Sequence, residues 1–329
     1  MEINNFSRKY GVCTIGVMER SVLKFERVTK LYGSYPALID VSFSITAGEI
    51  FGLLGPNGAG KTTAISICSG LLKPNKGAVK IFGKDLSSDS LEARKLLGVV
   101  PQELALYEDL KATENLIFWG KLAGLTNGEA RAKASDILDQ FELGDRGQDR
   151  VKSFSGGMKR RMNIGCALMH DPKLLLLDEP TVGVDPQARE KMIAWMKEWV
   201  GDDRSILYTT HYLDEAERLC DTVAIIDDGR IIKSAPLHEL LSPAGDSRTI
   251  NVTGDFENLS DSEIQSIKSN FEILSQTSDS LSLLPKNELG AEESVHSLFT
   301  QKLQIKSVNF NRPGFHDIFL ELTGKSLRD

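Results

Sequence analysis

The segment GLLGPNGAGKTT at residues 52–63 admits few folds. From Gly55 to Thr62 it reads G-x-x-x-x-G-K-T, with an apolar run before it and a helix-forming run after it. Glycines let the backbone curl until successive N–H groups point inward, and the following helix adds the partial positive charge of its N-terminus. Such a turn cradles phosphate oxygens. The spacing then predicts Lys61 reaching the β- and γ-phosphates and the Thr62 hydroxyl on Mg²⁺. A strand, a glycine turn and a helix in this order also predict an α/β domain with a parallel sheet.

KLLLLDEP, residues 173–180, supplies a second half for the same chemistry. Four consecutive leucines fit a strand buried on both faces of a parallel sheet. Asp178 emerges at its C-terminal end, where open α/β sheets bind ligands, and is placed to hold Mg²⁺ through water. Glu179 follows and would polarise an attacking water. A third feature, SFSGGMKRR, has a glycine turn before a helix but lacks a lysine at the phosphate-loop position. It reads as an anion site of a different kind.

Around these motifs residues 20–235 alternate strand and helix patterns. Residues 21–33 and 41–55 read as strands, 61–72 as a helix, and 91–102 as a short helix leading into a strand. Helices follow at 113–124, with Thr113 as an N-cap, and at 127–143. Runs at 173–180, 205–211 and 222–232 read as strands. Helices at 186–200 and 213–220 lie between them, the first opening on Pro186, where the missing N–H costs nothing. The turn-rich segment 242–248 reads as a domain boundary. Beyond it a βαββαβ order is expected, a small α+β domain of ferredoxin-like type, closed by an amphipathic helix at 314–324. The expected division is an N-terminal extension at 1–21, a nucleotide-binding domain at 22–242 and an accessory domain at 243–329. Met18 just precedes the first strand pattern, so residues 1–17 read as a loose extension or a misassigned start.

The 329 residues carry a net charge of −7, which weighs against a general nucleic-acid binder. The four cysteines show no metal-ligand spacing and suit a reducing cytosol. No run of 18 apolar residues is present in the sequence. A soluble chain is expected, with any membrane role exercised through a partner.

GPNGAGKTT, SGGMKRR, LLLLDEP and TTH in this order resemble the ATP-binding subunit of ABC transporters over residues 22–240. The resemblance implies that Gly55, Pro56, Asn57, Gly58, Ala59, Gly60, Lys61, Thr62 and Thr63 hold the nucleotide phosphates. It implies that Tyr32 stacks on adenine, with Tyr35 as a rival, and that Gln102 touches Mg²⁺ and the attacking water. Gln102 would also open the segment that meets the membrane partner. His211 resembles the switch histidine that hydrogen-bonds the γ-phosphate, and Asp185 the acid of a loop that communicates across a dimer. Ser155, Gly156 and Gly157 would complete the nucleotide site of a second copy. The implied assembly is a head-to-tail homodimer sandwiching two ATP molecules. Metal ligands would be Thr62, Gln102 and Asp178, and the groups acting in hydrolysis Lys61, Gln102, Glu179 and His211. Phe154 and Met158 stand where many members carry Leu and Gln, and Val184 where Leu is common; the Ser-Gly-Gly core is intact.

GFHDIFLELTGKSLRD at the C-terminus resembles the extension of daunorubicin-resistance-type ATPases, which serve separate permeases as exporters. A cytoplasmic subunit peripheral on the inner face of the cell membrane is therefore expected, bound to an integral membrane permease and not to nucleic acid. A soluble ABC-type ATPase acting on ribosomes or DNA is the competing class. It commonly carries two cassettes or a coiled-coil insertion, and this sequence has one cassette and neither feature. A P-loop kinase would have no use for SGGMKRR or TTH.

Overall fold

A computed structural model describes residues 21–88, 90–241, 249–256, 259–286, 291–300, 303–311, 315 and 319. The elements in chain order begin with strands β1 (Ser21–Tyr32), β2 (Tyr35–Thr46) and β3 (Ile50–Leu54), then helix α1 (Lys61–Cys68). Next come β4 (Lys76–Ile81), β5 (Lys84–Asp85), α2 (Ser90–Arg94) and β6 (Leu97–Val100). Helices α3 (Ala112–Leu122), α4 (Asn127–Gln140) and α5 (Gly156–Ala167) precede β7 (Leu174–Asp178) and α6 (Pro186–Trp199). They are followed by β8 (Ser205–Thr210), α7 (Leu213–Leu219), β9 (Thr222–Asp227), β10 (Arg230–Pro236) and α8 (Leu237–Leu240). The last set is β11 (Thr249–Asp255), α9 (Asp261–Asn270), β12 (Phe271–Gln276), β13 (Ser280–Pro285), α10 (Ala291–Thr300) and β14 (Gln304–Asn311). Among the described residues no helix is long and apolar enough to cross a membrane.

The chain gathers into two compact units, one running to Glu49 and then over Thr63–Leu207, the other holding Ile50–Thr62 and the chain from Tyr208 onward. In the first unit β2-β1-β4-β5 form an antiparallel sheet. The β4 strand went unread because its lysines mask the alternation: Val79 and Ile81 point inward between exposed or half-buried neighbours. In the same unit β6 pairs in parallel with β7. Leu174 to Leu177 are each fully buried, so the four-leucine run is a strand covered on both faces. Each such leucine contributes about 1.5–3 kcal/mol by leaving water.

Several local expectations are corrected. The run at 41–55 is two strands, because the chain turns at Gly48 (φ 83°) and the Glu49 carboxylate accepts from the Thr46 N–H at 2.5 Å. The first helix stops at Cys68 rather than Leu72, since Gly70 takes a left-handed φ of 73° that ends it. Lys111, not Thr113, is the N-cap of α3; the Thr113 hydroxyl instead donates to the Gly147 carbonyl at 2.8 Å.

In the second unit β3 pairs in parallel with β9, and β9 pairs antiparallel with β10. The run read as one strand at 222–232 is thus a hairpin, turning on Asp228 and Gly229 with φ of 44° and 72°. Two consecutive left-handed residues, Asp then Gly, make the turn whose twist matches a right-handed hairpin. Farther along, β12-β13-β11-β14 form a wholly antiparallel sheet in βαββαβ chain order, the expected ferredoxin-like arrangement. Ser260 caps α9 with Glu263 in a reciprocal capping box. Ile250, Val252, Phe256, Ile267, Phe271, Leu281, Leu283 and Leu298 make its core. Phe315 and Phe319, four residues apart, are helical and buried. The expected boundary at 242–248, the extension before residue 21 and the rest of the closing helix lie outside the described residues.

Leu283 is a fully buried member of that small core. Leu283→Ala should destabilise it by about 2–5 kcal/mol, read as faster amide exchange in β11 and β13; unchanged protection there would contradict this packing.

Candidate active site

The glycine loop after β3 is shaped by lack of room. β3 is buried at all five positions. At Gly55, where the strand ends, a Cβ would lie 2.1 Å from the Ile226 carbonyl oxygen of β9. Gly58 and Gly60 hold φ of 85° and 109°, so the loop curls back before α1 begins at Lys61. The Gly229 N–H of the β9–β10 turn donates to the Ala59 carbonyl at 3.1 Å and fixes the loop from below. Pro56 is half-buried, Asn57 and Gly58 are exposed, Ala59 is buried and Thr62 is exposed. Lys61 is 5% exposed, and its Nζ donates to the carbonyls of Gly55 at 2.8 Å and Pro56 at 3.1 Å. A buried ammonium arched over a ring of backbone groups suits an anionic guest. Thr63, half-buried, is the third residue of α1.

His211 follows β8 in the same unit as the loop, with its ring centroid 4.1 Å from that of Tyr212. The turn beneath it is braced by a residue that sequence reading passed over. Glu215, 1% exposed, accepts from the Tyr208 hydroxyl at 2.6 Å and the Thr210 hydroxyl at 3.0 Å. The Thr210 oxygen in turn accepts from the Tyr212 N–H at 2.9 Å.

The acidic half is in the other unit. Asp178 ends β7 at 2% exposure and Glu179 follows at 5%. Glu179 takes a left-handed φ of 47°, costly for a residue with a Cβ and commonly retained where function demands it. Val182 N–H donates to its carbonyl at 3.3 Å, so the chain turns sharply just after the strand. Gln102, exposed in the loop after β6, donates from Nε2 to Glu179 Oε2 at 3.4 Å. Thus Gln102 meets Glu179, which directly follows Asp178 at the strand end.

Ser155 is the N-cap of α5, its hydroxyl accepting from the Met158 N–H at 3.3 Å. Ser155 and Gly156 are exposed, and Gly157 is buried. A Cβ on Gly157 would come within 3.2 Å of Ala188 Cβ and 3.5 Å of Asp185 Oδ2. Asp185 itself caps α6, accepting from the Ala188 N–H at 3.0 Å with Pro186 behind it. Its place beside the Ser155 turn therefore follows from a helix cap. Tyr32 and Tyr35 face each other across the β1–β2 hairpin, both exposed, with Lys30 Nζ 5.5 Å above the Tyr32 ring.

The three cysteines among the described residues are buried. Burial pushes the thiols of Cys68, Cys166 and Cys220 well above the ordinary range, which keeps them protonated and inert.

A family model described as ABC transporter matches residues 38–182. The linearmycin resistance ATP-binding protein LnrL of Bacillus subtilis is 40% identical over 315 residues, spanning 94% of this chain and 100% of that protein. The doxorubicin resistance ATP-binding protein DrrA of Mycobacterium tuberculosis is 35% identical over 304 residues, spanning 90% and 92%. Among solved structures, a dimeric post-hydrolysis state of an ATP-binding cassette bound to ADP and Pi matches with a TM-score of 0.60 at 28% identity. That match covers 65% of this chain and 98% of the other.

Gly55→Ala would drive a methyl group into the Ile226 carbonyl. It should weaken nucleotide binding by about tenfold or more, a loss of roughly 1.4 kcal/mol or above, measured by titration with a fluorescent ATP analogue. Unchanged affinity would show that the loop has slack its geometry denies.

Proposed function

The chain belongs to the ABC transporter family as an ATP-binding, ATP-hydrolysing subunit of the exporter kind, and from that premise we propose that it powers a separate integral membrane permease by closing and opening as a homodimer. The observation that carries the reading is the buried Asp178–Glu179 pair at the end of β7, with Gln102 on the Glu179 carboxylate.

In this reading the N–H groups of residues 55–63 receive the phosphates of ATP. Lys61 Nζ exchanges the Gly55 and Pro56 carbonyls for β- and γ-phosphate oxygens. Thr62 and Asp178, with Gln102, supply the hard oxygen donors that Mg²⁺ prefers, few enough to leave places for phosphate and water. When bound, Mg²⁺ neutralises charge on the phosphate oxygens. Glu179 accepts a proton from a water whose oxygen attacks the γ-phosphorus, and the bond from that phosphorus to the β–γ bridging oxygen breaks. ADP and inorganic phosphate leave. Gln102 orients Glu179 and the water, and His211 hydrogen-bonds the γ-phosphate. Tyr32, or its neighbour Tyr35, stacks on adenine.

The second turn acts on another subunit's nucleotide. Ser155, Gly156 and Gly157 at the start of α5 offer a hydroxyl and helix N-terminal N–H groups to the partner's γ-phosphate. Asp185, packed beside that turn, relays its position across the dimer. ATP then holds the two copies together, and loss of the γ-phosphate releases them. Residues 22–242 carry this chemistry and 243–329 serve as an accessory domain. The subunit works in the cytoplasm against the inner face of the membrane.

Glu179→Gln should leave ATP binding intact, slow hydrolysis by about a hundredfold or more, and accumulate an ATP-bound dimer on gel filtration. Normal turnover in that variant would remove Glu179 from the chemistry. Ser155→Phe should spare ATP binding by the monomer while dimerisation and turnover fall; full turnover would end the trans-acting role.

A further inference from the structure

Helix α5 holds more than the Ser155 turn. Three of its side chains reach a single loop, residues 101–110, which joins β6 to α3. Arg160 donates from Nη1 to the backbone carbonyl of Gln102. Asn163, 2% exposed, accepts from the Ala105 N–H at 3.0 Å and donates to the Pro101 carbonyl at 3.5 Å. Lys159 pairs with Glu108 at 2.5 Å. Positions 159, 160 and 163 share one helix face, so they act as one grip. From the opposite side Asn115 of α3, fully buried, bonds both the N–H of Tyr107 at 2.8 Å and its carbonyl at 2.9 Å.

Gln102 is thereby anchored in its backbone while its side chain stays exposed. That side chain is long and meets Glu179 at 3.4 Å, at the outer limit of a hydrogen bond. With a contact so marginal, small shifts of the Gln102 backbone decide whether the amide reaches the carboxylate. A guanidinium on a peptide carbonyl is a charge-assisted, directional anchor, well suited to hold that backbone. Burial lowers the pKa of Arg160, so its position costs desolvation that an idle surface arginine would avoid.

We propose that Arg160 is a positioning residue for hydrolysis: it fixes the Gln102 backbone so that the Gln102 amide lines up on Glu179. The proposal rests on the reading of Gln102 and Glu179 as acting in hydrolysis, and it names what holds Gln102 in place. Asn163 shares the work from the next turn of the helix. One consequence is mechanical. The helix that begins with the turn for the partner's nucleotide also holds Gln102, so placing the one places the other.

Steady-state ATPase kinetics of Arg160→Met, Gln102→Ala and the double variant, in the full chain, test this. Arg160→Met should lower kcat about tenfold with the KM for ATP within about twofold of the parent. Arg160→Lys, which keeps the charge but not the planar fork, should fall between the two and serves also if the methionine variant folds poorly. In the Gln102→Ala background Arg160→Met should add less than about a twofold further loss, because nothing remains to be aligned. An unchanged kcat in Arg160→Met, a KM effect alone, or a loss that multiplies fully onto Gln102→Ala would overturn the proposal. If Gln102→Ala is slow but Arg160→Met is normal, only this proposal falls. If Gln102→Ala turns over normally, the reading of Gln102 falls and takes the proposal with it.

Discussion

Between β3 and α1 the backbone passes so close to β9 that a side-chain carbon at Gly55 would lie 2.1 Å from the Ile226 carbonyl oxygen. The loop must leave the strand by the one path that remains. It curls through Gly58 and Gly60, and the helix starts at the lysine that serves it. Much else serves this closeness. β3 is buried at every position, β9 runs parallel beside it, and the Asp228–Gly229 turn returns an N–H to Ala59. A loop braced by the Ile226 carbonyl and the Gly229 N–H has little freedom to rearrange.

The acidic half is built differently. Four leucines bury a strand so completely that two adjacent carboxyl groups end it almost out of water, at 2% and 5% exposure. Burying such groups is expensive unless hydrogen bonds or opposing charge compensate them. Glu179 adds backbone strain, with φ at 47°. Around this rigid centre the attachments are softer: an exposed glutamine at 3.4 Å, and a loop held by side chains of α5 rather than by a sheet.

Much of this was legible in the residues. The glycine loop, the leucine strand with its acids, the helix start at Pro186 and the βαββαβ order each rest on a short-range rule with a strong signal. The glycine turn at 155–157 was legible as the start of a helix, while the Ser155 cap itself emerges only from the fold. The misses share a cause. Gly48 splits one apparent strand and Asp228–Gly229 splits another, because the apolar runs on either side of each short turn read as one. Thr113 looks like a cap, yet the chain enters α3 two residues earlier than that expectation places it, and the threonine finds Gly147 instead. Glu215 under the His211 turn, the left-handed Glu179 and the Arg160 hold on Gln102 depend on contacts that pattern alone does not encode.

The central claim is that each nucleotide site takes its loop from one subunit and its Ser155 turn from the other. Mixing two inactive variants, Lys61→Ala and Ser155→Phe, tests it most directly. In a mixed dimer the Ser155→Phe subunit supplies an intact loop and the Lys61→Ala subunit an intact turn, which restores one complete site. An equal mixture should recover about a quarter to a half of the parent's ATPase activity, since each mixed dimer regains one site of two and the mixed fraction is at least half. Activity that stays at the level of the separate variants would contradict a shared site.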